Sequence, residues 1–428
     1  MKHLSLLSLF ALLAVACTTT DIEPEFPPDM APSQLHSEKY LSSEEAGSIA
    51  TAFMASLEYN GEKSRSYTAR TVSDVSLLNT RHISRSSAID TTFYLVNFEE
   101  GGYSLVAADR NLDNNIYVYS QTGTFNTEDN PVVNIYLENA IATMTDAPRR
   151  GKIGNTSKIS RANIPFDPEI PAQGEVCIFD VWYVYYCGGA HYKMEPLLTT
   201  KWHQFYPYNT QCPLIGGKET FVGCVAIAMG QICSYHQWPE QLNGHTYNWS
   251  NMLQTPTHYS TNDIGLYDIA HILAGIGGLV DMNYGRIGID SGSGSNIDKA
   301  LSGFKKMGYR SVSKKKFSTS DCVYSLNGNK PVYMRGESPN LGGHAWVIDG
   351  YDKYSSWTDY YNKETGEFYM RESGIGGYIY LHFNYGWNNS SDAYYLCYGQ
   401  GIVGRDDYKV FSDFDNFNKN NQIITIER

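Results

Sequence analysis

Cysteine and histidine are the side chains best suited to nucleophilic chemistry near neutral pH, and one cysteine in this chain has a setting that favours it. Residues 221–239 read Phe-Val-Gly-Cys-Val-Ala-Ile-Ala-Met-Gly-Gln-Ile-Cys-Ser-Tyr-His-Gln-Trp-Pro. Gly223 is a turn residue, and Val225, Ala228, Met229 and Ile232 follow at the spacing of one buried helix face. Pro239 closes the pattern. Cys224 therefore starts a helix, where unpaired backbone N–H groups and the helix dipole favour an anion. A thiolate is such an anion, so this position lowers a thiol's pKa and raises its reactivity. Taken alone, the pattern also suits a small buried core cysteine, and the partners decide between the two.

The natural partner of a thiolate is an imidazole. His344 stands in Gly342-Gly343-His344-Ala345-Trp346-Val347-Ile348-Asp349-Gly350, where two glycines precede a β run and let the backbone approach a site closely. A third group should hold the ring. Asn384, at the end of another apolar run and followed by Tyr385-Gly386-Trp387, offers a side-chain carbonyl for the ring N–H, and Trp387 would shield the pair from water. A tetrahedral oxyanion needs donors, and Gln204, upstream of the cysteine, suits that role alongside the backbone N–H of the nucleophile. His203, His236 and Gln231 read as structural.

The rest of the chain must position these groups. Its 428 residues suffice for two or three domains with ample core. A hydrophobic fraction of 42% and a charged fraction of 18% are globular, and 34 tyrosines suit strand-rich structure. The net charge of −12, with no Lys/Arg run, argues against nucleic acid as a partner. Met1-Lys2-His3 and the apolar residues 4–15 form an export signal too short to span a bilayer. The run ends Ala14-Val15-Ala16-Cys17, which resembles a bacterial lipobox with Ala14 in the usual leucine position. Cleavage before Cys17 and its lipidation are expected, giving an exported protein anchored in the cell envelope that touches membrane only through that lipid.

Of eight cysteines, a lipidated Cys17 leaves seven, an odd number that flags a free thiol in an oxidising compartment. Cys177 and Cys187 are close enough in sequence for a hairpin-scale disulfide, a pairing the sequence leaves open. No spacing matches a zinc site, so neither a metal nor another cofactor is expected.

Residues 17–45, rich in proline and acidic side chains, read as a tether. Residues 46–148 form an α+β unit: a helix from Ser43, a hairpin turning at Gly101-Gly102, a strand over 116–120 and a helix over 132–144. Residues 149–194 are mostly loop-like, with a possible strand over 176–186 and several basic sites open to proteolysis, and so form a linker or activation region. Residues 195–428 divide into a helical half carrying the cysteine and a β-rich half carrying the histidine, with the site in the cleft. The fold class is thus α+β, a two-lobed domain preceded by an α+β unit.

Four segments, in order, carry a family likeness: Trp202-His203-Gln204 with Pro207-Tyr208-Asn209; Gly223-Cys224-Val225-Ala226 with Gln231; Gly342-Gly343-His344-Ala345; and Asn384-Tyr385-Gly386-Trp387. Together they resemble the streptopain family of secreted bacterial cysteine peptidases, which have a papain-like fold and are made as zymogens. The 93–109 hairpin resembles that family's inhibitory propeptide. The resemblance implies an endopeptidase acting on protein or peptide substrates, with its own propeptide as inhibitor. It makes Cys224 the nucleophile, His344 the general base and Gln204 an oxyanion donor, with Asn384 in the group around the histidine. The propeptide would displace His344 or block the cleft until cut. The family's usual Asn-Trp-Gly-Trp is departed from at Tyr385. Two other functions use the same residues: a transglutaminase-type acyltransferase, and a non-catalytic surface-binding lipoprotein with a decayed site.

Overall fold

A computed structural model describes residues 40–57, 70–78, 93–110, 112, 115–125, 132–144, 173–178, 181–338, 342–373, 377–400, 407–409 and 421–427. The export signal, Cys17, most of the tether and the basic stretch at 149–172 lie outside them.

The N-terminal unit begins with α1 (Ser43–Leu57). Ser42 and Glu45 form a reciprocal capping box: the Glu45 N–H donates to Ser42 Oγ at 3.2 Å and the Ser42 N–H to Glu45 Oε2 at 2.7 Å. The inner face of α1 carries Ala46, Ala50, Phe53 and Met54. It packs on an antiparallel meander of β1 (Val72–Leu78), β2 (Phe93–Phe98), β3 (Tyr103–Ala107) and β4 (Ile116–Ser120), and α2 (Val133–Met144) completes the unit. The β2–β3 turn needs glycine. Gly102 has φ +83°, and a Cβ there would lie 2.5 Å from the Ser120 carbonyl. β1 was not anticipated, because its apolar residues, Val72, Val75, Leu77 and Leu78, do not alternate strictly and are only half-buried.

Next come β5 (Gln173–Ile178) and β6 (Val181–Met194). Here the structure holds more strand than the 176–186 run expected in an otherwise loop-like stretch. Residues 173–194 are a β-hairpin, and β6 forms a twelve-pair antiparallel ladder from Met194 opposite Tyr351 to Tyr183 opposite Asn362. The register also separates Cys177 from Cys187. Cys177 stands opposite Trp182, so Cys187 lies five residues, about 17 Å, further along the ladder, beyond disulfide reach.

The helical lobe is built from α3 (Cys224–His236), a two-residue hairpin of β7 (Gln241–Leu242) and β8 (His245–Thr246), α4 (Trp249–Met252), α5 (Leu266–Leu279) and α6 (Ile297–Lys306). α3 is flanked by Gly223 at its N-cap and by Gln237, a left-handed C-cap ahead of Pro239. The sequence pattern gives it one buried face, yet every residue from Cys224 to Ser234 is buried. α5 and α6 cover one side of it while the sheet covers the other.

The β-rich lobe comprises β9 (Ser311–Lys316), α7 (Thr319–Asn327), β10 (Val332–Ser338), β11 (Gly342–Asn362), β12 (Phe368–Ser373), β13 (Tyr378–Asn384), β14 (Ala393–Gln400), β15 (Asp407–Lys409) and β16 (Gln422–Glu427). One sheet spans both units in the order β1-β2-β3-β4-β14-β13-β11-β10-β16-β9. The junction is β4 against β14, with Tyr119 opposite Tyr394 and Val118 opposite Tyr395. The apolar cores follow suit: the N-terminal unit shares one cluster with the β-rich lobe, while the helical lobe has its own. β11 divides them by strand alternation. Ala345 and Val347 join the helical-lobe core, and Trp346 and Ile348 join the other.

Candidate active site

Cys224 is the first residue of α3 and is 8% exposed. Gly223 (φ +92°) supplies no capping side chain, so the first-turn N–H groups stay available to an anion. The positive φ strains any other residue here, and a Cβ would also press on the Met282 side chain, 2.7 Å from Sδ.

His344 lies near the start of β11, 7% exposed, and meets Cys224 across the cleft between the two cores. Burial pushes the Cys224 thiol up. The charge of His344, its hydrogen bond to the sulfur, and the N–H groups of Ala345 and Val225 outweigh that, so the thiol sits below its ordinary value. The other described free cysteines behave oppositely. Burial pushes Cys233, on the same helix, up to about 12, does the same to Cys212, and raises Cys322 and Cys397. One thiol in this set is prepared to ionise.

The other face of the imidazole is held by main chain. His344 Nε2 lies 3.2 Å from the carbonyl oxygen of Tyr385. A carbonyl only accepts, so Nε2 carries the hydrogen and Nδ1 is left to face the sulfur. The expected bond from the ring to the Asn384 side chain is not made. Asn384 Oδ1 already accepts from Gln231 Nε2 at 2.9 Å and from the Gly386 N–H at 3.1 Å, and Nδ2 donates to the Thr200 carbonyl at 3.2 Å. Asn384 ends β13 opposite Val347, with its amide aimed at α3 and Thr200. The chain then turns at Gly386 (φ +72°), and that turn delivers the Tyr385 carbonyl to the ring.

Trp387 stands beside the imidazole, ring centroids 6.5 Å apart, and meets Phe205 edge-on at 5.8 Å. Phe205 in turn contacts Phe221, so aromatic rings line one side of the pair. Trp346 lies 6.3 Å from His344 and nearly parallel to it. The ring of Tyr385 turns into the sheet-side core, against Trp346 and Tyr395.

Gln204 is buried and tied to the approach to the cysteine, its carbonyl accepting from the Val222 N–H at 3.0 Å. Its side-chain amide makes no hydrogen bond within the described residues. His203 beside it is held down to about 4 by burial and is neutral.

Sequence reasoning passed over two contributors. The Tyr385 carbonyl carried no residue-type signal, because any side chain presents one. Gln231 did carry a signal: seven residues after Cys224 is close to two helical turns, so both lie on one face of α3. Cys17 lies outside the described residues. Among those residues, no group of three or more His, Cys, Asp or Glu side chains is placed to hold a metal ion, and no helix is long and apolar enough to cross a membrane. The described part of the N-terminal unit docks on β14 and leaves His344 on Cys224, so within it the expected displacement of the histidine does not occur.

Two family models match the chain: the peptidase C10 family over residues 202–395 and the Spi protease inhibitor over residues 38–143. Streptopain of Streptococcus pyogenes is 25% identical over 354 residues, covering 71% of this chain and 73% of that protein. The thiol protease/hemagglutinin PrtT of Porphyromonas gingivalis is 29% identical over 232 residues, covering 47% of this chain and 23% of that protein. Among solved structures, a mutant fragment of Prevotella intermedia prointerpain A aligns with a TM-score of 0.49 and 21% identity, covering 78% of this chain and 94% of that one.

Proposed function

We propose that the chain is a secreted, papain-like cysteine endopeptidase of the peptidase C10 type carrying an inhibitory propeptide, with Cys224 as its nucleophile and His344 as its general base. The observation that carries the assignment is the Cys224 thiol. Among the five described free cysteines it is the one lowered below its ordinary value, and His344 leads the groups that lower it against burial.

Catalysis then proceeds as follows. Cys224 gives its proton to His344 Nδ1, and the thiolate attacks a substrate peptide carbonyl. Oxyanion charge is met by the Cys224 backbone N–H and the free amide of Gln204. His344 returns the proton to the departing amine, leaving a thioester on Cys224. Water, deprotonated by the same imidazole, releases the acid. The Tyr385 carbonyl stabilises the imidazolium formed in between, and Trp387 with Phe205 keeps water from that side of the ring.

We further propose the boundaries: signal 1–16, lipid-anchor tether 17–45 with Cys17 acylated, propeptide 46–148 and catalytic domain 195–428. Strand β6 is laddered to β11, which supports placing the maturation cut ahead of β5, at 149–172. The dyad is assembled with the propeptide docked, which supports inhibition by occlusion of the cleft.

The test is a Cys224→Ala precursor purified alone. Loss of peptide cleavage and of labelling by a thiol-directed epoxide, with no self-processing, is expected. Processing to the normal size by that variant would refute self-cleavage, and retained hydrolysis would refute the nucleophile. A Cys17→Ala form should leave the membrane fraction.

A further inference from the structure

Gln231 is fully buried in the middle of α3, on the same face as Cys224. Its side chain joins two other segments. Oε1 accepts from Thr200 Oγ1 at 3.3 Å, and Nε2 donates to Asn384 Oδ1 at 2.9 Å. The second bond is the interesting one, because of what else Asn384 Oδ1 holds. It accepts the Gly386 N–H at 3.1 Å. That N–H belongs to the peptide group whose carbonyl is Tyr385 O, the acceptor of His344 Nε2–H.

One peptide plane is therefore held at both ends, by Asn384 at its N–H and by His344 at its C=O. A donated N–H polarises the same amide and makes its carbonyl a stronger acceptor. Orientation follows too: the plane cannot rotate to release the imidazole without breaking the bond to Asn384. Gly386 lies flat on α3, where a Cβ would come within 2.5 Å of Ile227 Cγ2. The geometry of helix and strand matches as well. Seven residues of helix from Cys224 to Gln231 span about 10 Å, and three residues of strand from His344 to Val347, the partner of Asn384, span about 10 Å. The helix thus meets the sheet at two points: Cys224 at His344 and Gln231 at Asn384.

We propose that Gln231 is a positioning residue for His344, acting through Asn384 and the Tyr385–Gly386 peptide. This rests on the reading of Cys224 and His344 as the catalytic pair. Gln231 touches neither substrate nor the reacting atoms. It fixes the amide of Asn384, and so fixes the carbonyl that selects the tautomer and direction of the imidazole.

The experiment uses the full-length chain matured to its active form, with active sites counted by titration with a thiol-directed epoxide. Gln231→Met fills the same volume without a donor. It should lower kcat per titrated site by roughly 10- to 100-fold with KM within about threefold, since misorientation of a catalytic group acts on the chemical step. The pH dependence of Cys224 alkylation by iodoacetamide should move upward. Asn384→Ala breaks the same link from the other side and should reproduce both effects. The double variant should be no worse than the worse single, as members of one relay are not additive. Cys233→Ala, on the same helix and equally buried, controls for stability: it should lower Tm without moving the pH profile.

If Gln231→Met and Asn384→Ala lower Tm alone, with kcat per site and the alkylation profile at parental values, the inference is wrong. Should Gln231→Met not accumulate, the Asn384→Ala profile decides in the same way. A parent enzyme that the epoxide does not label at Cys224 would sink the catalytic reading itself, a result distinct from a labelled parent with insensitive variants.

Discussion

The imidazole of His344 donates from Nε2 to the main-chain carbonyl of Tyr385 at 3.2 Å, so the ring is oriented by backbone. The residue type at 385 is thereby released from orienting the histidine. That accounts in physical terms for a tyrosine at the place where the resembled Asn-Trp-Gly-Trp pattern has tryptophan. Tyr385→Phe keeps the carbonyl and the ring packing, and should leave kcat/KM within about threefold of the parent in a peptide hydrolysis assay.

Burial raises the Cys224 thiol, and His344 is the largest influence lowering it, ahead of the Ala345 and Val225 N–H groups. His344→Ala removes the opposing charge and leaves desolvation in control. The pH at which iodoacetamide alkylation of Cys224 reaches half its maximal rate should rise above that of the parent, and above that of a free thiol. Peptide hydrolysis should fall by at least about 10⁴-fold, as when a dyad member is removed. An unchanged alkylation profile would separate the two side chains.

Gln204→Ala should lower kcat by roughly 10²- to 10³-fold with little change in KM, the signature of a donor used mainly in the transition state. Steady-state kinetics on one peptide substrate separates the two parameters.

Asp392 is buried and accepts the Tyr385 N–H at 2.9 Å. Burial pushes its carboxyl up to about 7, against the Tyr385 N–H and the nearby His382. In the unfolded chain the same group titrates near 4. The folded state therefore binds the extra proton between about pH 4 and 7, and the protein loses stability as pH rises through that window, by up to about 4 kcal/mol at this residue. Asp392→Asn keeps an acceptor for Tyr385 and abolishes the titration. Its Tm relative to the parent should climb from pH 4 to pH 7 and then level off.

Tyr119 of the propeptide donates to Asp352 Oδ2 of the catalytic domain at 2.6 Å, and His191 Nε2 holds Oδ1 at the same distance. Tyr119→Phe leaves a fully buried carboxylate oxygen without its donor, a loss of about 1–3 kcal/mol that falls on the docked state. The undocked fraction should rise by about 5- to 150-fold. Faster amide exchange in β4 and faster conversion of the full-length precursor would show it.

The sequence displayed whatever depends on residue type and local period. Cys224 could be read from Gly223 and the helix pattern behind it, and His344 from the glycines ahead of its strand. The α+β propeptide was legible from the Gly101-Gly102 hairpin and the helix at Ser43. Relations set by tertiary register were not legible. The stretch of β6 beyond Tyr186 was hidden because its long partner, β11, lies more than 150 residues away. Asn384 was assigned a bond to the imidazole, but its lone pairs are filled by Gln231 and Gly386, and only the turn at Gly386 decides that. Gln231 read as a core polar residue because its one decisive neighbour arrives from another lobe.

The junction of β4 with β14 carries a consequence for the matured enzyme. Once the propeptide leaves, Tyr394 and Tyr395 lose Tyr119 and Val118 as ladder partners, and a covered strand becomes an open margin. Unpaired backbone on such a margin is a template for any other extended chain, and the stacked Tyr119–Tyr394 rings leave an aromatic face behind. The paired stretch is two residues long, so the margin laid bare is short. In the precursor, the propeptide therefore shields the enzyme from its neighbours as well as its substrates from the enzyme.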